Sequence, residues 1–519
     1  MMKLPTLALA TILAAIHLSA GARAQAAEAA PSPSLIPWPT DVQVGEGVFT
    51  LTAETVIVAD AASQASAAQL AGFLAPATGF ALKIATGSAS HPHGIALVQD
   101  AGLTDLGTEG YTLTATADQI TLAAPTQAGL FHAFQTLRQL LPPAIFADHV
   151  VSDVPWQLPC IRIKDKPRFG WRGLMLDTGH DFQPLPFVLR FIDLMALHKF
   201  NTLHWHITDL GTWPLEINGY PKLIEPFTRG TRQMGNPKRG VKPGHYSQDE
   251  VRQVVRYAAE RHITIIPEID MPGHSTPALT AYPEFDCPVP FKTWEWDHWE
   301  YCVGNEKTYG FLQDVLTQVM DLFPSTIIHI GGDECPTGHW HICPICQAKK
   351  KAENLQTDAQ LQTYFTQRIA TILAARGRRL IGWDEILQPG LADDAVIMAW
   401  RPTIHAEING AKSGHDVVVA LSSHLYFDYP ESRTPLAKVY SFEPVPTDLT
   451  PQQAARILGA QAQMWTDNHP TTTEIEHLVY PRACALAEVV WSPAATRDFG
   501  RFTSALTIHR QRLAALGIE

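Results

Sequence analysis

Basic residues are in deficit: 39 Lys and Arg stand against 51 Asp and Glu, for a net charge of -12, and no basic run exceeds Lys349-Lys350-Lys351. Nucleic acid is therefore not expected as a partner, because phosphate contacts need a basic patch. The three lysines read as a solvated helix face. Long apolar runs are scarce too. Leu4 to Leu18 is interrupted by Pro5 and His17 and falls short of the ~20 apolar residues of a membrane span; no later stretch qualifies, so no membrane anchor is expected. No cysteine precedes Cys160, which removes the lipid-bearing cysteine that an anchored form would need at its processing site. None of the seven Asn begins an Asn-x-Ser/Thr triplet, which suits a bacterial periplasmic or secreted protein.

The chain has 519 residues, of which 46% are hydrophobic and 17% charged, with 13 Trp and 12 Tyr. That is globular composition, and the length suits a large barrel plus an accessory domain. Lys3, the apolar run and Ala22-Arg23-Ala24 follow the charged, apolar and small-residue order of a signal peptide over residues 1–24. A secreted or periplasmic location is expected, with a short disordered lead-in after it. Export permits disulfides, and seven cysteines leave at least one without an intramolecular partner. Cys287 and Cys302 bracket a loop containing Trp294, Trp296 and Trp299 and are expected to be bridged. The loop suits an outer subsite and surface packing equally. Cys335, Cys343 and Cys346, with His339 and His341 between them, have ligand types that suit zinc, but oxidation on export favours a disulfide among the three. No metal or other cofactor is expected.

Residues 35–155 alternate short β patterns (48–51, 55–58, 94–98, 111–114, 119–123) with helical ones (62–74, 126–141). A small α/β domain, an α+β sandwich, follows, with a structural or docking role because catalytic residue types do not cluster in it. Over residues 165–510 eight short apolar β runs appear, most followed by a helical segment: 173–176, 202–207, 264–267, 326–330, 379–382, 395–399, 416–420 and 458–463. Eight such units predict a (β/α)8 TIM barrel. Ser247-Gln-Asp-Glu250 is a capping box that starts one of its helices.

Active sites of such barrels lie where the strands end. Those positions read Asp177; Trp205-His206 with Asp209; Glu268-Ile-Asp270 with His274; Asp333-Glu334; Trp383-Asp384-Glu385; Trp400-Arg401; Tyr426 with Asp428; and Trp465 with Asp467. Carboxylates interleaved with indoles suit a sugar, whose hydroxyls need acceptors and whose C–H faces stack on rings.

The segments Trp171-Arg-Gly-Leu-Met-Leu-Asp177, Phe200-Asn-Thr-Leu-His-Trp-His206, Ile266-Pro-Glu-Ile-Asp-Met-Pro-Gly-His274, His329-Ile-Gly-Gly-Asp-Glu334, Gly382-Trp-Asp-Glu385 and Gly459-Ala-Gln-Ala-Gln-Met-Trp465 resemble, in order, the motifs of glycoside hydrolase family 20, the β-N-acetylhexosaminidases. The resemblance covers nearly all of residues 165–500. It implies a retaining, exo-acting enzyme that removes terminal non-reducing β-linked N-acetylglucosamine or N-acetylgalactosamine. It also implies substrate-assisted catalysis, which answers a geometric problem: two carboxylates about 5–5.5 Å apart on opposite sides of a sugar are not easily drawn from adjacent residues. The substrate's acetamide oxygen attacks the anomeric carbon and forms an oxazolinium ion; Glu334 protonates the leaving oxygen and then activates water; Asp333 holds the acetamide N–H. These roles require Asp333 ionised and Glu334 protonated, and a neighbouring charge with partial burial would raise the Glu pKa.

The resemblance further assigns Arg172 and Asp209 to ring hydroxyls, Tyr426 to the acetamide carbonyl, Asp428 and Asp467 to O4 and O6, and Trp383, Trp400 and Trp465 to the walls around the acetamide. His274 resembles a histidine near the catalytic acid. Three departures stand out: Thr178-Gly179-His180 follows Asp177 where Ser-Arg or Ala-Arg is usual, Leu210 follows Asp209 where a second acid is common, and Asp467 replaces the usual Glu. The shorter Asp467 bears on the choice between gluco and galacto sugars.

Three other functions draw on the same residue types. A lectin-like barrel would lack the acid pair. A metal-dependent hydrolase would use His204, His206 and Asp209. An endo-acting chitinase differs by a groove open at both ends, which sequence does not display. Amino-sugar oligosaccharides or glycoconjugates are the expected partners, and a homodimer is compatible with the sequence, which does not fix the oligomeric state.

Overall fold

Two sheets organise the chain, each matched to its own apolar pattern. The computed structural model describes residues 33–87, 91–225, 244–289, 299–469 and 471–518; the expected signal peptide lies outside them. The first sheet contains β1 (Asp41–Thr50), β2 (Val56–Ala59), β3 (Lys83–Thr86), β4 (Gly94–Gln99), β5 (Tyr111–Ala115), β6 (Gln119–Ala124) and β7 (Gln157–Asp165), in the order β1-β7-β5-β6-β4-β2-β3. Strands β2, β3, β4 and β6 run parallel to their neighbours among themselves, whereas β5 and β1 pair antiparallel with β7. Helices Gln64–Thr78 and Gln127–Leu140 accompany this sheet. Strand β7 corrects the expected boundary at residue 155: residues 157–165 form an interior strand of this sheet, between β1 and β5.

The second sheet closes on itself as eight parallel strands: β8 (Trp171–Asp177), β9 (Thr202–Thr208), β10 (Thr264–Ile269), β11 (Ile327–His329), β12 (Arg379–Trp383), β13 (Val396–Ala399), β14 (Asp416–Val419) and β15 (Ile457–Met464). All eight expected strands are present. The capping box forms as expected, with the Ser247 hydroxyl accepting from Glu250 N–H at the start of helix Gln248–Ala259. Because alternate strand residues face opposite ways, Val396 and Met398 join Ile381, Trp383 and Val418 in an inner cluster, while Ile397 and Ala399 belong to the larger core under the helices.

The two domains meet through Arg172, at the N-terminal end of β8. Its guanidinium donates twice to Glu109 of the first domain, to the Lys199 carbonyl at 2.8 Å and to the Phe169 carbonyl at 2.9 Å, and it lies over the Trp491 ring. This overturns the sugar-binding role expected of Arg172. Asp177 lies five positions further along β8, about 16 Å at ~3.3 Å per residue, so Arg172 belongs to the opposite end of the barrel. Glu109 is held far below the usual carboxylate range: burial would raise it, but His132 and Arg172 outweigh burial.

Arg172→Met leaves Glu109 with an unmatched charge in a mostly buried place, and breaking such a pair costs about 3–5 kcal/mol. Chemical denaturation is expected to show that loss, with KM for the sugar unchanged. A large rise in KM with stability intact would return Arg172 to the substrate.

Candidate functional site

The interior of the barrel becomes polar towards its C-terminal end. Glu268 on β10 is fully buried. It accepts from Trp383 Nε1 at 2.9 Å and pairs with His206, with His329 Nδ1 at 2.8 Å and with His204 Nε2 at 2.9 Å. Burial would raise its pKa, but the imidazoles hold it well below the carboxylate range. From there the contacts climb towards the mouth: His206 Nε2 lies 2.8 Å from Asp209 Oδ2, His274 Nδ1 lies 2.8 Å from Asp209 Oδ1, and His274 Nε2 lies 3.7 Å from Asp333 Oδ2. His204 Nε2 and His206 Nδ1 thus face a carboxylate inside the barrel, and His206 turns its other nitrogen to Asp209. Among these groups, burial would lower the pKa of His274, but Asp209, Asp270 and Asp333 push it well above its ordinary value.

Asp333 and Glu334 follow β11 on the turn made by Gly331 and Gly332. Both glycines have positive φ, +69° and +96°, and a Cβ on Gly331 would sit 1.8 Å from Asp270 Oδ1. Only glycine allows that approach. Asp333 is buried and its Oδ1 has no partner in the protein. Burial raises its pKa to about 6, with Glu268 and Asp209 adding to the rise and His274 opposing it. Glu334 adopts φ +44° and its side chain is exposed. The expected partial burial of Glu334 is therefore corrected: the turn carries this carboxylate outward.

Four aromatic rings stand beside the acid pair. Trp383 and Trp465 centroids are 5.9 Å apart, Tyr426 and Trp465 6.3 Å, and Trp400 and Tyr426 6.2 Å with nearly parallel planes. Trp465 also meets His206 edge-on at 4.8 Å. Asp428 follows Tyr426, and burial together with the charge of Asp467 raises it to about 7. Burial likewise raises Asp467, whose neighbour His180 opposes the shift. The structure therefore gathers Asp209, His274, Asp333, Glu334, Trp383, Trp400, Tyr426, Asp428, Trp465 and Asp467 at one end of the barrel and leaves Arg172 at the other.

His180 and Glu385, to which the motifs assign no role, also stand in this site. His180 Nδ1 lies 2.9 Å from Asp177 Oδ2 and 3.2 Å from Asp209 Oδ2. Burial would lower its pKa, yet Asp209 and Asp177 raise it to about 9, which keeps the ring cationic at neutral pH. Glu385 accepts from Trp400 Nε1 at 3.1 Å and faces Arg401 at 3.2 Å. Burial, then Asp333 and Asp384, raise its pKa to about 8. Its position at a strand end was the available signal. Trp299 packs on His274 with centroids 5.1 Å apart, so it serves this loop from behind; Trp294 and Trp296 lie outside the described residues. The seven cysteines are all unbridged, including Cys287 and Cys302, which corrects both expected disulfides.

A parallel eightfold barrel whose mouth joins an acid pair to aromatic walls and further carboxylates defines a carbohydrate-active hydrolase. The comparisons specify which. The pattern described as Glycosyl hydrolase family 20, catalytic domain, matches residues 169–494, and Glycosyl hydrolase family 20, domain 2, matches residues 32–166. A beta-hexosaminidase of Porphyromonas gingivalis is 36% identical over 94% of this chain, which spans 64% of that relative's length. One from Akkermansia muciniphila is 35% identical over 80% of this chain and 86% of its own. Among solved structures, a GH20 exo β-N-acetylglucosaminidase from Vibrio harveyi in complex with N-acetylglucosamine aligns with a TM-score of 0.84 at 29% identity, covering 94% of this chain and 79% of that one. The GH20 β-N-acetylhexosaminidase of Streptomyces coelicolor aligns with a TM-score of 0.80 at 31% identity, over 95% and 98%. The chain belongs to glycosyl hydrolase family 20 and is a glycoside hydrolase.

The raised carboxylate pKa values have a consequence for stability. A group whose folded pKa lies above its unfolded one favours the fold while protonated, and that contribution is lost as pH rises through the folded pKa. For Glu385 the window runs from its ordinary 4.5 to about 8. Melting temperature should fall across that window, and Glu385→Gln should flatten the fall. A wild-type slope unchanged by the substitution would show that Glu385 does not hold the proton.

Proposed function

We propose that this chain is a retaining exo-β-N-acetylhexosaminidase that cleaves terminal β-linked N-acetylglucosamine or N-acetylgalactosamine through an oxazolinium intermediate. The observation that carries the proposal is Asp333: a buried carboxylate with an oxygen lacking any protein partner, next to an exposed Glu334 and a cage of Trp383, Trp400, Tyr426 and Trp465. A buried acceptor of this kind calls for an external donor, and an acetamide N–H supplies one while its methyl group contacts the rings. The acetamide oxygen is then directed at the anomeric carbon. Positive charge develops on the oxazolinium ring, and the ionised Asp333 stabilises it. Tyr426 donates to the acetamide oxygen. Glu334, free to reach the glycosidic oxygen, protonates the leaving group and afterwards takes a proton from water.

Asp428 and Asp467 accept from O4 and O6 of the terminal sugar, which leaves no room for a further residue there and makes the enzyme exo-acting. His180 supplies the positive charge at a place where the family pattern leads one to look for an arginine. Its link to Asp177 and Asp209 ties sugar binding to the buried histidine–carboxylate chain. A secreted or periplasmic location is proposed from the leader-like first residues. Among the described residues no helix is long and apolar enough to cross a membrane.

Glu334→Gln should lose about 10²–10⁴-fold on natural glycosides and much less on aryl glycosides with acidic leaving groups. Successive fluorination of the acetyl methyl should lower kcat steeply, and Asp333→Asn should cost about 10²–10³-fold, as loss of one preorganised group does elsewhere. A 2-fluoro sugar trapped covalently on a carboxylate of this chain would overturn the mechanism. Because kcat/KM follows the free enzyme, its acid limb should fall near pH 6, where Asp333 takes up a proton.

A further inference from the structure

Behind the catalytic loops lies a second constellation that the sugar chemistry does not use. Cys287 and Cys302 flank a segment between β10 and helix Glu306–Leu322, and Cys343 and Cys346 stand at the start of helix Pro344–Ala352. All four are buried, with 2%, 0%, 0% and 0% of their surface accessible. The Cys287 and Cys346 sulfurs are 3.8 Å apart, Cys302 and Cys343 3.8 Å, and Cys302 and Cys346 3.7 Å, and all four sulfurs lie within 4.8 Å of one another. A disulfide brings one pair to about 2.0 Å and leaves others apart. Here Cys302 is equally near two partners, and so is Cys346. Four sulfurs sharing a common centre fit a tetrahedron: with metal–sulfur bonds of about 2.3 Å its edges are about 3.8 Å.

We propose that Cys287, Cys302, Cys343 and Cys346 bind one zinc ion as a closed tetrathiolate site. The Cys343-Pro-Ile-Cys346 spacing suits a two-ligand turn of the kind structural zinc sites use, and an all-sulfur tetrahedral set selects a soft metal. Binding converts four thiols to thiolates and releases four protons as the ion enters, so the site carries a formal charge of -2 and loads less readily in acid. No ligand position remains open for water, which makes the ion structural.

Its place explains what it would hold. Next to Cys302, Tyr301 N–H donates to the Pro272 carbonyl and the Trp299 carbonyl accepts from Ser275 N–H, each at 2.9 Å, so this strand of chain braces the loop carrying His274. Trp340 Nε1 donates to the Tyr301 carbonyl at 2.9 Å, which ties in the segment that follows Glu334. The ion would clamp the loops after β10 and β11, the two that bring His274, Asp333 and Glu334 together.

The test uses the full chain, purified without added zinc or reductant. Elemental analysis should find close to one zinc per chain. Alkylation should spare these four cysteines in the folded protein and label all four after denaturation with chelator, without any reductant. Cys346→Ala should reduce zinc at least tenfold, whereas Cys343→His, which keeps a nitrogen ligand, should retain it; Cys160→Ser should leave the content unchanged. If the variants fail to fold, the wild-type metal count and thiol state still decide. A metal-free wild type whose four cysteines need reductant before labelling, or iron in place of zinc, overturns the assignment. Both readouts are made without substrate, so their outcome is independent of the sugar assay.

Discussion

A carboxylate enclosed in the middle of a barrel must be compensated, and the Glu268 carboxylate is the constraint on which the site depends. Desolvation of an ionised carboxylate is costly enough that an unpaired one would take up a proton instead. Hydrogen bonds with the Trp383 indole and with His206, and the nearby rings of His204 and His329, prevent that. The same contacts fix the aromatic wall, because Trp383 is both a donor to Glu268 and a neighbour of Trp465. They also start the chain through His206, Asp209 and His274 that ends 3.7 Å from Asp333. Charge buried at the centre thus sets ring positions and protonation states at the mouth.

Much of this could be read in advance. The eight barrel strands carry uninterrupted apolar runs with polar residues immediately after them, and both signals are local. Where local signals end, the sequence reading ends as well. Strand β7 follows Pro155 and resembles a linker until its antiparallel partners β1 and β5 are seen. Arg172 sits inside a segment that resembles a family motif, but its own strand position puts it at the opposite end from Asp177. His180 looks like an interruption of that motif, and its positive charge arises only when Asp177 and Asp209 are brought to it. Proximity along the chain suggested pairing Cys287 with Cys302; sulfurs from two separate loops converge in space instead.

The aromatic cage and the acids divide the recognition task. Rings exclude water and reward an apolar face; on the proposed mechanism the buried Asp333, whose Oδ1 has no partner in the protein, rejects a sugar that fails to donate to it, because a buried acceptor without a donor is penalised more than a satisfied one is rewarded. The penalty falls on wrong substrates. That asymmetry suits an enzyme working among many glycans of similar size and surface.

On the proposed mechanism, the Gly331-Gly332 turn and the left-handed Glu334 after it place catalysis and durability in conflict. A non-glycine residue at positive φ costs about 1–2 kcal/mol, and Glu334 at φ +44° bears that cost where a third glycine would not. Replacement by glycine would relax the backbone while deleting the acid. Random drift at this codon therefore has a route to a sturdier, inert barrel. Persistence of Glu334 across generations would record selection for turnover, since the fold alone gives no reason to keep it.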